Sequence, residues 1–428
     1  MEDGGVLVCK ASNPRTGLND SDLGILFYGD GRADGFGTDK HALISWEVVD
    51  SEDKMDTFQF TLDNPTLRLI DDPRLAKGNL MRVQFGYPTN LSEVREFVIT
   101  GRRGWRELTI FGELNSESKL ATGVSNEKFE NKSIAEVARI LFSREGLKAE
   151  VDESDPISKK TQQVIQKTNE TSFQFLRRMS TRLGLAYEVY VEGDVGYFRP
   201  KQFKETPSLL LKYGTENSED DFVTIDDPTL NDSQTNTAIE ETFRGQDLMN
   251  KKALEAKGNN ANSKQTSLGK GTYYFDAALG KFKSKGPSKT ADTGRSRVTS
   301  RQTIDEVQGM ASSAFDKKAA KANSITWSII GNPKIASKTT VQITCGVASI
   351  DGARWYLDEV RHQSEGGDYS THLSLISNAV GKAVGTVEAT PEGPTNVKSA
   401  SENNSKEVKY KFDSLKGKFT PTNIGIKG

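Results

Sequence analysis

The chain has 428 residues, of which 35% are hydrophobic and 27% charged, enough apolar material for more than one core beneath a polar surface. Its 57 basic and 59 acidic residues leave a net charge of −2, which argues against binding nucleic acid through overall charge, since counterion release needs a basic surface. No run approaches the ~18 apolar residues of a membrane span, so no stable membrane insertion is expected. Met1–Gly5 is acidic and lacks the basic start of a signal peptide. The two cysteines, Cys9 and Cys345, form neither a disulfide framework nor a CxxC zinc motif; reduced thiols are the simpler reading, and a single bridge between them the alternative.

The predicted elements begin as strands. Gly24–Tyr28 is a short apolar run before the turn-rich Gly29–Arg32, and Ile44–Asp50 and Thr57–Asn64 follow. Phe58, Phe60 and Leu62 alternate with polar residues, the period of a half-buried strand, and Asn64-Pro65 stops it. Leu80–Tyr87, Glu96–Gly101 and Glu107–Gly112 complete an antiparallel barrel or sandwich over residues 1–115.

The period then changes. Ser133–Glu136 is a capping box, with Ile134, Val137, Ile140 and Leu141 at helical spacing and Gly146 at the end. Thr171-Ser172 opens a second helix with the stripe Phe173, Leu176, Met179 or Ser180, and Leu183. Gly184 ends it, and Leu185, Tyr187, Val189 and Val191 alternate as a strand. Residues 116–200 therefore read as a small α+β domain.

Strands return at Ser208–Leu211 and Phe222–Ile225, and 237–244 extends the sheet. Residues 246–303, rich in Lys, Asn, Ser and Gly, read as a long exposed insertion without a core of its own. An Ala-rich helix is predicted over 304–322, then strands at Ile325–Ile330, Thr340–Thr344 and 355–378, so that 201–382 forms a second strand-rich domain. From 383 to 428 the chain reads as an extended tail whose Val408–Phe412 could add a strand to a neighbour. The fold class is thus mainly β with a small α+β domain, two antiparallel barrels flanking a mixed domain. That plan also suggests an internal duplication.

Candidate chemistry is sparse. His362, His372, Asp358 and Glu359 lie close in sequence, but the histidines are expected on opposite arms of a hairpin and lack HxxxH or HExxH spacing; ordinary strand residues are the favoured reading. Glu136 near Arg139, and Glu170 near Arg177 and Arg178, could be the carboxylates of a cell-wall lysin, yet Glu136 is explained as a cap and Glu170 as a favourable charge at a helix start. His41 lies in a polar loop, and no GxSxG elbow is present. Gly29–Gly37 is Gly- and Asp-rich but lacks EF-hand spacing, so a turn is preferred to a calcium loop. Lys270–Lys289, with Tyr273, Tyr274 and Phe275, could touch nucleic acid or lipid headgroups; contact with another protein is favoured. No catalytic residue, metal ligand or cofactor is assigned.

Two segments carry a resemblance. Gln166–Met179 leading into Gly184–Tyr187 resembles the "Q..NES.F.FL.RL....G..Y" stretch of the phage late control protein D family, also found in the hub part of type VI secretion trimeric spike proteins. Trp355–His362 through Gly367–Leu375 resembles that family's closing hairpin, and the Ser133–Leu147 helix stands where the family has one. The resemblance covers about residues 40–380 and leaves out the first 40 residues, the insertion and the tail. It implies a non-enzymatic baseplate hub of a contractile tail: a homotrimer whose subunits each hold two tail-tube-like barrels. Three such chains would join the sixfold tail tube to the threefold central spike. The implied partners are spike, tube, tape-measure and other baseplate (wedge) proteins, with no specific nucleic acid. The implied location is the virion tail baseplate, assembled in the host cytoplasm. A tail-associated peptidoglycan hydrolase or a LysM-like wall-binding module is the alternative, although residues 147–160 lack the aromatics of a carbohydrate binder.

Overall fold

The computed structural model describes residues 6–12, 24–27, 33–34, 43–52, 54–87, 89–183, 187–201, 207–213, 226–232, 241–247, 250–258, 273–276, 281–284, 303–321, 323–365, 368–378, 409–413 and 418–422. It divides into two compact units, Met1–Thr386 and Val387–Gly428.

In chain order the first unit begins with β1 (Val6–Ser12), β2 (Gly24–Phe27), β3 (Ala33–Asp34), β4 (Leu43–Ser51), β5 (Thr57–Asp63), β6 (Leu80–Tyr87), β7 (Asn90–Leu91), β8 (Arg95–Arg103) and β9 (Glu107–Leu114). The middle contains α1 (Asn115–Ala121), β10 (Ser125–Lys132), α2 (Ile134–Arg144), β11 (Lys148–Val151), α3 (Pro156–Lys159), β12 (Gln162–Glu170), α4 (Ser172–Ser180), β13 (Tyr187–Glu192) and β14 (Val195–Pro200). Then follow β15 (Leu209–Lys212), β16 (Thr229–Asp232), β17 (Glu241–Asp247), β18 (Lys252–Gly258), β19 (Tyr273–Asp276), β20 (Lys281–Ser284), α5 (Ile304–Ala320), β21 (Asn323–Ile330), β22 (Thr340–Thr344), α6 (Ala348–Asp351), β23 (Arg354–Glu365) and β24 (Asp368–Ser377). The second unit holds β25 (Lys409–Asp413) and β26 (Lys418–Thr422).

The mainly-β reading with a few helices holds. Among the described residues, however, no sheet closes on itself. The strands expected in two barrels share one open fifteen-stranded sheet, ordered β16-β21-β24-β23-β4-β5-β9-β8-β6-β1-β2-β3, with β15, β22 and β7 branching off. The join is antiparallel pairing of β4 with β23, from Ser51 opposite Glu359 to Ser45 opposite Glu365. Two strands that could have closed their own halves satisfy each other's backbone groups instead, which removes two exposed edges.

Alternation fixes the buried faces. Phe58, Phe60 and Leu62 of β5 pack with Met81, Val83, Phe85, Phe97, Ile99 and Ile110 in the first core. Ile325, Trp327 and Ile329 of β21 pack with Val341, Trp355, Leu357 and Leu373 in another. The helices follow their caps. Ser133 and Glu136 close a capping box on α2, and its Ile134, Val137, Ala138 and Leu141 are buried at helical spacing. Thr171 and Gln174 do the same for α4, which buries Phe173, Phe175, Leu176 and Met179. Both helices lie over two small sheets, antiparallel β10-β12 and the three strands β11-β14-β13.

The stretch 246–303 is not loop throughout. β17 and β18 form an antiparallel hairpin, and Ala256 packs in a small core with Val307 and Ala311 of α5. Lys-rich composition hid this strand because only one of its faces is buried. Gly258 makes the contact possible, since a Cβ there would stand 2.0 Å from the Ala311 carbonyl oxygen. In the second unit, Lys409–Asp413 pairs with the chain's own β26 rather than standing as a single strand. The expected strand at Phe222–Ile225, His41, most of 29–37 and most of 270–289 lie outside the described residues.

Phe175 is fully buried and Val164 half exposed on the neighbouring β12. Phe175→Ala is expected to lower unfolding free energy by about 3–5 kcal/mol. Val164→Ala should change it by less than about 0.5 kcal/mol. Urea unfolding of both variants checks the assignment of this core.

Candidate functional site

A network of charged groups is buried where the two strand-rich halves meet the helical part. Asp50 sits near the end of β4, only 4% exposed. Its carboxylate accepts from Arg95 Nη2 (3.0 Å), from the Ser337 amide (3.2 Å) and Ser337 hydroxyl, and from Lys338 Nζ (3.4 Å). Arg95 also reaches Asp56 Oδ2 at 3.4 Å. Asp56 Oδ1 accepts from the Ser51 amide (3.0 Å), and the Asp56 amide donates to Glu117 Oε2 of α1 (2.9 Å). Lys338 stands in the link between β21 and β22, with its Nζ 5.0 Å from the centre of the Tyr190 ring of β13. Three carboxylates and two cations thus join β4, β8, α1, β13 and the 331–339 link.

A second network lies beside it. Lys201 Nζ pairs with Glu52 Oε1 at 2.6 Å and lies 5.6 Å from the Tyr356 ring centre. Arg177 of α4 donates to the Glu52 carbonyl oxygen (3.0 Å). Glu188 of β13 accepts from Arg199 Nε at 3.1 Å, and Arg199 covers the Tyr197 ring at 4.6 Å.

The environment separates these carboxyl groups. Burial disfavours the charge on Asp50, but Lys338, Arg95 and the Ser337 hydrogen bond outweigh it and hold the group well below the usual carboxylate range. Burial, with the neighbouring Asp50 charge, pushes Asp56 up to about 6. Burial and the Asp56 charge push Glu117 up to about 7. Burial and the Glu52 charge push Glu188 up to about 7.

Carboxyl groups with such values are often general acids or bases. Here Asp56, Glu117 and Glu188 are 6%, 1% and 5% exposed, so no substrate reaches them in the folded chain. Their proton affinity is a product of burial at a structural joint. The one sequence signal is an acidic residue in an otherwise half-buried strand, because Asp50 lies nearly three hundred residues from its partners Ser337 and Lys338.

The residues weighed from sequence are placed as follows. His362 is buried in β23. Its Nε2 lies 3.0 Å from the Ile335 carbonyl oxygen, which can only accept, so Nε2 carries the proton. Nδ1 accepts from the Tyr369 hydroxyl (2.9 Å) and lies 3.2 Å from that of Thr371. Burial, reinforced by Arg95, lowers its pKa to about 3, so it stays neutral. His372 contacts Ser328 Oγ (2.8 Å) and Ser370 Oγ (3.2 Å). His362 pairs with Thr371 and His372 with Arg361. Adjacent register positions point to opposite faces, so the two rings do not converge. Asp358 pairs with Lys321 and Glu359 with Lys54. Glu136 caps α2, Arg139 pairs with Glu153, and Glu170 accepts from Arg178 Nε at 3.0 Å. Cys9 and Cys345 are both free thiols. Among the described residues, no three His, Cys, Asp or Glu side chains are grouped to hold a metal ion.

The architecture is one found in bacteriophage tail proteins, which is the resemblance the two sequence segments carry. The tail protein of Neisseria meningitidis MC58 superposes with a TM-score of 0.56 at 14% identity, over 87% of this chain and 97% of its own. The 43 kDa tail protein of prophage MuSo2 from Shewanella oneidensis gives 0.56 at 12% identity, over 88% and 99%. A chain of the Francisella PdpA–VgrG complex gives 0.53 at 10% identity, over 92% of this chain and 54% of its own. At these identities the likeness is one of fold. No family model and no curated protein sequence matches the chain.

Removing one partner from a buried ionic group leaves the others uncompensated. Asp50→Ala is therefore expected to cost about 3–5 kcal/mol of stability by urea unfolding, with β4 and the 331–339 link losing hydrogen-exchange protection together.

The raised carboxyls give stability a pH dependence of definite sign. The folded chain holds protons on Asp56, Glu117 and Glu188 that the unfolded chain sheds above the ordinary carboxyl range. Stability from these groups is fully present at about pH 4 and is lost as pH rises through 6 to 7. Asp50 acts oppositely: its contribution is present above that range and lost as pH falls below it. Urea midpoints across the range from about pH 5 to 8 should fall with rising pH. Glu188→Gln should flatten that fall, and an unchanged slope would contradict the assignment.

Proposed function

We propose that this chain is a structural baseplate hub of a phage-type contractile tail, a trimeric adaptor between the sixfold tail tube and the threefold central spike. The observation that carries the reading is a likeness in fold that runs through almost the whole of both chains, to a tail protein of Neisseria meningitidis MC58 and one of prophage MuSo2. The two family-like segments stand in matching order along the chain.

In this reading residues 1–115 and 201–382 are two tube-like units around the mixed segment 116–200, and the tail 383–428 reaches a further component. Two quasi-equivalent units per chain give a trimer six positions on its tube side and threefold symmetry on its spike side. Spike, tube, tape-measure and wedge proteins are the partners, and the virion tail baseplate is the place. The buried ionic junction supports the reading, because an adaptor between rings must hold its two halves in one fixed relation. The burial of every perturbed carboxyl described above supports a non-enzymatic role.

Light scattering tests the proposal. A mass of three chains, alone or in a three-to-three complex with the neighbouring spike protein, is expected. A stable monomer indifferent to the spike would remove the symmetry argument. Incubation with purified peptidoglycan should release no soluble muropeptides; release would turn the reading to a hydrolase.

A further inference from the structure

Charge does not balance in the buried joint around Asp50. Asp50, Asp56 and Glu117 bring three carboxyl groups to it, and Arg95 and Lys338 bring two cations. With all five ionised the joint would hold one negative charge in excess, and the three carboxyl residues are only 4%, 6% and 1% exposed. A buried ion without a counter-charge is poorly tolerated, and a carboxyl group so placed takes up a proton instead.

Contacts decide which group carries it. Asp50 is surrounded by donors from Arg95, Ser337 and Lys338, and a proton on it would displace one of them. Asp56 and Glu117 are placed otherwise. The Asp56 amide donates to Glu117 Oε2 at 2.9 Å. Glu117 accepts from backbone amides, those of Asp56 and Val191, and Asp56 Oδ2 reaches Arg95 Nη1 only at 3.4 Å. Burial first, and the Asp56 charge second, raise the proton affinity of Glu117. The other titratable groups at the joint do not compete. From β13, the Tyr190 phenol beside Lys338 is pushed up by burial and stays neutral, and Glu192 is exposed. From β23, His362 is neutral and donates to the Ile335 carbonyl oxygen.

We infer that Asp56 and Glu117 retain one proton between them as a structural latch that fastens α1 to the start of β5, and that loss of this proton loosens that contact while the sheet stays paired. Once it is lost, three carboxylates face two cations, and the Asp56–Glu117 contact yields because Asp50 keeps its donors. The loosening stays local. Leu120 of α1 remains in the core of the helical part, and Lys201 and Arg177 still hold Glu52. The closed joint binds the proton more tightly than an open one, whose carboxyl groups titrate in the ordinary range. Opening is therefore rarest in acid, grows about tenfold per pH unit between about pH 6 and 7, where one proton is at stake, and levels off above. The latch works within one chain and is independent of the trimer reading.

Hydrogen exchange of the full chain from about pH 5 to 8, read as protection factors, tests the latch. The amides of Ser51, Asp56 and Val191, which donate to the two carboxyl groups, should be less protected than those of the β21–β24 ladder. They should lose about tenfold in protection between about pH 6 and 7. They should respond little to dilute urea, because a local opening exposes little surface. Glu117→Gln cannot ionise yet still accepts from the Asp56 amide, and it should abolish the loss. Glu188→Gln, outside the latch, should change the pH slope of the ladder amides and leave that of the latch amides as it is. Protection and urea dependence equal to the ladder's would mean that the joint opens only with the whole chain. Constant protection across the pH range would mean that no proton is held. Either result in the unaltered chain overturns the latch, whether or not a variant folds, and so does a Glu117→Gln chain that keeps the tenfold loss.

Discussion

The pairing of β4 with β23 is the constraint on which the rest of the first unit depends. It joins strands from the beginning and end of that unit into one sheet, and Asp50 opposite Val360 carries a buried charge at the seam. That charge is tolerated only where Arg95, Ser337 and Lys338 surround it, so the seam specifies the position of β8 and of the 331–339 link as well as its own register. Tyr190 and Glu117 bring the helical part to the same point. A slip by one residue would turn Asp50 to the opposite face and leave Arg95 and Lys338 buried without it.

Much of this architecture is legible in the sequence. Alternation in Thr57–Asp63 and helical spacing after Ser133 are local signals, and the structure places a strand and a helix there. The joint is not legible, because its members are ordinary polar residues until the fold gathers them. The expectation of closed barrels failed for a related reason: periodicity assigns a buried face to each strand but does not say which strand its free edge meets. The Lys-rich stretch after residue 246 misled in another way. β18 buries Ala256 and Gly258, small residues that carry little hydrophobic signal, against a helix some fifty residues on.

The perturbed carboxyl groups illustrate how site-finding by pKa divides. Asp56, Glu117 and Glu188 have the proton affinities of catalytic acids, yet each is sealed from solvent and bound to a backbone amide or a cation. His362 is kept neutral by burial, reinforced by the Arg95 charge, and its tautomer is fixed by partners on both ring nitrogens. These groups act on rigidity and register.

The most direct test of the proposed hub role is electron cryomicroscopy of a contractile-tail particle assembled with this chain. The account predicts three copies around the particle axis, between the sixfold tube and the threefold spike, each placing two strand-rich halves on the tube side. Density for the chain away from the axis, or in any number other than three at that level, would contradict it.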